Sequence, residues 1–221
     1  MKQKLISMKN LILIFAVALF STNLLSQDIT FFFQNLPDSS IMNLSKDIRK
    51  KIIKCASESK PYQNEDNFYS VDVLDKKNGY LEMSGAFGGR FQLCFWNMKN
   101  GTKLIGTYLE SCGPMCIISQ FDFYVHNGKT YKLLNWADVM PEEVVSNFFK
   151  ENYDENFQRL IENDILPMLS YELPRKGLNI IVKFGDGEPR EILEEYAFIG
   201  NRMELIWNDG KFTKGKVYWS E

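Results

Sequence analysis

The 221-residue chain has one histidine, His126. A Ser-His-Asp or Cys-His nucleophile would have to use that residue, and a His-rich catalytic zinc site is excluded. No Gly-x-Ser-x-Gly, His-Glu-x-x-His, Walker A or Gly-x-Gly-x-x-Gly stretch occurs. Gly85-Ala-Phe-Gly-Gly89 is glycine-rich, but no helix follows to bind an anion, so a bulge or turn is expected. There is no Pro/Ser-rich linker, low-complexity tract or internal repeat. No excess of positive charge exists either, with 26 Lys and Arg against 28 Asp and Glu. That balance gives no general attraction to nucleic acid.

A second long apolar run is also missing, and the one present is short. Lys2, Lys4 and Lys9 precede Leu11–Phe20, ten apolar residues, and small or polar residues follow through Ser26. That order is a signal peptide, with Met8 as an alternative start. As a helix the run is ~15 Å, too short for a ~30 Å hydrocarbon layer. Cleavage after Ser26 would make Gln27 the new N-terminus. A lipoprotein would need cysteine there, so a soluble periplasmic or secreted protein is expected, without a lipid anchor or integral span. Residues 27–221 would carry 23 Lys and Arg against 28 acids, a net charge of −5. They are expected to form one α+β domain, with a possible sub-division near 135–141.

Hydrophobic periodicity outlines the fold. Ile41, Leu44, Ile48, Ile52 and Ala56 form a helical stripe within 39–57, which Ser45 divides if it caps a fresh helix at Lys46. Lys46, Arg49, Lys50 and Lys54 are placed on the opposite, solvated side. Alternating segments then run from Phe68 to Leu134, punctuated by Asn78-Gly79, Asn100-Gly101 and Asn127-Gly128. Such turns predict an antiparallel meander of at least five strands. A helical pair follows at Pro141–Phe149 and Tyr153–Asp164, ended by Pro167. A smaller set of strands closes the chain, from Leu178–Phe184 to the hairpin around Asn208-Asp-Gly210. Segregated blocks argue for α+β rather than a doubly wound fold.

Candidate chemistry is sparse. His126 is expected as an exposed hairpin-end residue. The pairs Glu142-Glu143, Glu194-Glu195 and Asp186 with Glu188 lack the spacing of a two-carboxylate cleft or a calcium loop. Asn43-Leu-Ser45 and Asn100-Gly-Thr102 fit the N-glycosylation pattern but are read as helix and hairpin turn. Aromatics make up 14% of the chain. Phe31–Phe33, Phe121–Tyr124, Trp207 and Trp219 stand out as core, with an excess that could serve a ligand surface.

Export favours disulfides among Cys55, Cys94, Cys112 and Cys116. Cys112 and Cys116 flank Gly113-Pro-Met115. A three-residue hairpin loop would oppose them at ~4.5–5.5 Å, within disulfide reach. The pairing of Cys112 with Cys116 ranks first, ahead of one of them with Cys94, and ahead of a metal or redox site. Gly113 is placed at the turn because it tolerates positive φ.

Leu36-Pro-Asp-Ser39, Tyr80-Leu81, Cys112-Gly-Pro-Met-Cys116 before Phe123-Tyr124, and Tyr171-Glu-Leu-Pro-Arg-Lys-Gly177 before Asn179–Val182 form one further pattern. In that order they resemble a family of uncharacterised exported Bacteroidota proteins of unknown function. The resemblance implies compartment and layout, with no catalytic residues to transfer. No catalytic residue, cofactor or metal ligand is assigned. A non-catalytic exported binding or interaction protein is expected, its partner an envelope protein, peptide or glycan. The alternatives are a carboxylate-dependent hydrolase and a protein inhibitor or structural partner.

Overall fold

The computed structural model describes residues 27–220, apart from 66, 87, 114–115, 166–167 and 186. The expected signal peptide, Pro114, Met115, Pro167 and Asp186 lie outside the described residues. The fold is α+β with two antiparallel sheets. Five α-helices occur among the described residues: α1 (Ile29–Asn35), α2 (Lys46–Ser57), α3 (Trp136–Val139), α4 (Tyr153–Glu162) and α5 (Arg190–Glu195). None is long and apolar enough to cross a membrane.

The large sheet is a meander in sequence order. Its strands are β1 (Tyr62–Gln63), β2 (Phe68–Asp75), β3 (Tyr80–Gly85), β4 (Gly89–Asn97), β5 (Lys103–Cys112), β6 (Cys116–His126) and β7 (Tyr131–Leu133). The small sheet has the order β11-β10-β9-β8, from β8 (Leu169–Glu172), β9 (Ile180–Phe184), β10 (Arg202–Asn208) and β11 (Lys211–Tyr218). Seven strands thus satisfy the expected minimum of five.

Alternation divides the large sheet into two apolar faces. Leu81, Met83, Phe91, Leu93, Ile105 and Tyr124 pack under α1 and α2. Tyr80, Cys94, Trp96, Leu104, Tyr108 and Phe123 point the other way, against Tyr171, Ile180, Val182, Met203 and Leu205 of the small sheet. The order of layers is therefore helices, large sheet, small sheet.

The N-terminal helical region departs from expectation in three respects. Phe31–Phe33 belong to a helix, α1, whose N-cap Asp28 accepts from the Thr30 and Phe31 amides at 3.0 and 3.1 Å. Ile29, Phe32 and Phe33 are fully buried, each such side chain worth about 1.5–3 kcal/mol. After a 3₁₀ turn at Asp38–Ser40, Ser45 caps α2, so the break at Ser45 is real. Asn43 stands in the turn that follows, at φ 55°, not in a helix. The third departure is Arg49, expected on the solvated side but 1% exposed. Its Nη1 donates to the carbonyls of Phe33 and Leu36 at 2.9 and 2.8 Å, and Nη2 bonds Asp38. The end of α1 leaves carbonyls without helical partners, and a guanidinium from α2 supplies donors to them.

The predicted helix at Pro141–Phe149 is replaced by a 3₁₀ turn at Val145–Phe148. Glu143 takes a left-handed φ of 50°, and its carbonyl accepts from Ser146 Oγ and Asn147 Nδ2 at 2.9 and 2.7 Å. These short polar side chains compete with helical bonding. The second helix is present as α4. The expected helical pair is thus one ten-residue helix flanked by turns.

Candidate functional site

The outer face of the small sheet carries a cleft of about 460 Å³. Its floor follows from strand alternation. Ile180, Val182 and Phe184 of β9 turn inward, so Ile181 and Lys183 turn outward. Ile181 faces Glu172 on β8 and Glu204 on β10, which places the two carboxylates on either side of one aliphatic residue. The segment between β8 and β9 arches over one end, and Pro174, Arg175, Lys176, Gly177 and Leu178 form that wall.

Each end of the arch is pinned. Arg175 Nε reaches Asp75 Oδ2 at 3.2 Å, tying the arch to the β2–β3 turn. Side-chain and backbone bonds from Asn78, then Arg175, hold the Asp75 carboxyl below its ordinary range. Gly177 supplies a left-handed φ of 78°, and Trp96 Nε1 donates to the Leu178 carbonyl at 2.8 Å. Asn179 Nδ2 donates to Glu204 at 3.1 Å, while its Oδ1 accepts from the Trp207 amide at 3.1 Å. One amide side chain therefore locks the start of β9 to β10 and orients Glu204.

The large sheet sets the position of β8 through a polar joint. Gln92, fully buried, accepts from the Leu173 amide at 3.0 Å and donates to Glu82 at 2.9 Å. Tyr80 donates to the same Glu82 oxygen at 2.5 Å. Burial, with Glu82 beside it, drives the Tyr80 phenol far above its ordinary value. Tyr108 OH accepts from the Tyr171 amide at 3.3 Å, and burial pushes its phenol up to about 12. The amides of Tyr171 at the outer edge of β8 and of Leu173 just beyond it thus bond to side chains where a further strand would pair.

The cleft has a mixed polar and apolar lining with balanced charge. Glu172 is held by Lys183 at 2.9 Å, Glu204 by Asn179 and Arg175 by Asp75. Lys176 contributes a cation, and Leu178, 51% exposed, an apolar wall. No group of three or more His, Cys, Asp or Glu side chains among the described residues could hold a metal ion.

Residues singled out from the sequence lie elsewhere. Cys112 and Cys116 are joined by a disulfide across the β5–β6 hairpin, with Cα atoms 3.9 Å apart. Gly113 does not take a left-handed φ. Cys55 and Cys94 are free, and burial pushes the Cys94 thiol well up. The glycine-rich run is a close approach: a Cβ on Gly89 would meet the Glu110 carbonyl at 1.8 Å. Glu143 lines a second hollow with Tyr153 and Asp154, and Glu194 pairs with Arg190. His126 is 2% exposed, which corrects the expected exposed hairpin end. Aromatic side chains of α1 cover it.

The cleft residues were missed because Glu172 and Glu204 are 32 positions apart and meet only through β9. The signal within reach was Pro174 to Gly177, polar and turn-forming between two alternating segments.

The chain belongs to the family described as protein of unknown function (DUF3256), whose profile matches residues 21–212. Its fold is similar to that of a domain of an uncharacterized protein from Porphyromonas gingivalis W83. The TM-score is 0.63 at 12% identity, covering 82% of this chain and 96% of that one. At such identity the likeness is one of fold. No curated protein matches the chain.

Proposed function

We propose that the protein is an exported, non-catalytic binding protein that takes an envelope protein, peptide or glycan in the cleft over Ile181. The observation that carries this reading is the cleft itself: a rigidly pinned arch over a floor of Glu172, Ile181 and Glu204. Donors and acceptors of both signs line it, which suits a ligand rich in amides or hydroxyls. Both acids already bond to local donors, an arrangement fitted to fixed recognition rather than to proton transfer. Peptide and glycan arrays probed with wild type and Ile181→Arg test the reading. Retention on an array that the variant loses supports it; equal retention by both overturns it.

Export is part of the proposal and rests on the charged, apolar and small-residue order of residues 1–26. N-terminal sequencing of protein from the native envelope should begin at Gln27.

A second reading has one observation in its favour. Glu172 and Glu204 stand two strands apart, which by strand spacing is ~10 Å between backbones. That is close to the carboxyl separation of inverting glycoside hydrolases. Turnover of a polysaccharide that is lost in both Glu172→Gln and Glu204→Gln would replace the binding reading with this one.

A further inference from the structure

His126 closes β6 on the face of the large sheet that carries the helices. Its ring centroid lies 4.5 Å from that of Tyr131 on β7, and 5.5 and 5.9 Å from Phe32 and Phe31 of α1. Nδ1 accepts from the Gly128 amide at 3.4 Å, which selects the neutral ring with its proton on Nε2. The histidine is therefore a packing surface for α1, accommodated as a neutral aromatic.

The charges around it are cationic. Lys103 of β5 is the direct cross-strand partner of His126. Its ammonium rests 4.6 Å from the Phe95 ring of β4, which packs on Phe32 at 5.1 Å. Burial pushes the Tyr131 phenol up to about 12 and keeps it neutral, against the opposing pull of Arg49 of α2. The sequence of α1, Ile-Thr-Phe-Phe-Phe-Gln-Asn, brings no ionisable side chain. Its N-cap Asp28 is engaged by the first-turn amides and by Lys76 at 3.6 Å.

We propose that His126 is an acid-sensitive latch for α1: its protonation disfavours the ring's place against Phe31, Phe32 and Tyr131 beside Lys103, and so weakens the docking of α1 on the large sheet. The imidazolium brings a second N–H and a full charge into an apolar pocket flanked by a cation. Burial first, then Lys103, holds the imidazole below its ordinary 6.5. The unfolded or undocked site binds the proton more tightly, so the latch is fully closed above about pH 6.5. It loosens as pH falls toward the native value, by up to about tenfold in the docking equilibrium per pH unit across that window. The effect is local because the opposite face of the large sheet packs on the small sheet, on the side of the strands away from the histidine.

Hydrogen exchange on the full chain between pH 7.5 and 5.0, corrected for intrinsic rates, tests this. Protection of the Phe32–Leu36 amides should fall as pH drops below 6.5, by at most about tenfold per pH unit. Amides of β4 and β5 should stay protected. In His126→Phe, which keeps an aromatic ring without the charge, the pH dependence of α1 should vanish. Flat protection of α1 in wild type, or an equal fall in His126→Phe, overturns the latch. Should His126→Phe fail to fold, NMR titration of wild type and Lys103→Met decides. An imidazole value below 6.5 that rises in Lys103→Met supports the latch; one at or above 6.5, or unmoved, overturns it.

Discussion

The seven-stranded sheet packs on both faces and exposes large apolar residues toward its margins, at Phe68, Ile117 and Leu133, whereas the four-stranded sheet packs one face inward and carries the cleft on the other, where Ile206 is 43% exposed. The edges differ in the same sense. The large sheet ends in strands of two and three residues, which offer little to a foreign strand. The small sheet ends in β8, whose outward amides at Tyr171 and, just beyond it, Leu173 are bonded to Tyr108 and Gln92, and in β11. Along β11 stand Lys211, Lys214 and Lys216, and lysines on an edge discourage pairing. The large sheet is thus a scaffold, and the small sheet is the layer with surface to spare for a ligand.

The largest break in that comparison should come from Trp96→Ala. Trp96 sits between the sheets, 5.6 Å from Trp207 and 5.3 Å from Phe212. Its loss should cost about 3–5 kcal/mol in urea unfolding. We propose that residues 27–221 unfold as one unit, so a single shifted transition is expected. Two separated transitions would instead divide the chain near 135–141.

Arg49→Ala attacks the helix-covered face. It leaves the Phe33 and Leu36 carbonyls without their donor and should cost about 3 kcal/mol, with cleft binding retained. Gln92→Leu attacks the joint and strips the Leu173 amide of its acceptor. About 2 kcal/mol is expected, together with weaker binding in the cleft as β8 shifts.

Opening the Cys112–Cys116 bridge should matter less, because it closes a very short loop. The chain-entropy estimate is about 2 kcal/mol at most, and the effect should stay within the β5–β6 hairpin. Reduction should add about two hydrogens to the peptide that holds both cysteines. Glu172→Gln should be smallest for stability, about 0.2–1 kcal/mol, because its partner Lys183 stands on a half-exposed face. A clear change in ligand retention without a change in stability would assign Glu172 to recognition.

Much of the scaffold was legible. The Asn-Gly turns and alternation from Phe68 to Val125 marked the meander, since hairpin geometry is local and the side-chain period is two. Ser45 was legible as a cap for the same reason. Short elements were not legible: α1 spans seven residues, α5 six and β8 four, too few to establish a period. Arg49 was placed in solvent because its residue type favours it, and His126 because it adjoins the Asn127-Gly128 turn. Each is buried by α1, an element whose aromatic run Phe31–Phe33 reads as apolar without announcing a helix.

By itself the sequence determined the α+β class, the antiparallel order of the large sheet and the opposition of Cys112 to Cys116. These depend on residues close along the chain, where turn chemistry and periodicity act directly. Tertiary structure alone decided that Glu172, Ile181 and Glu204 share one floor, that Gln92 and Tyr108 bond the amides along β8, and that His126 lies under α1 beside Lys103. Those meetings are set by which faces must leave water together. That requirement belongs to the packed layers and not to any one stretch of chain.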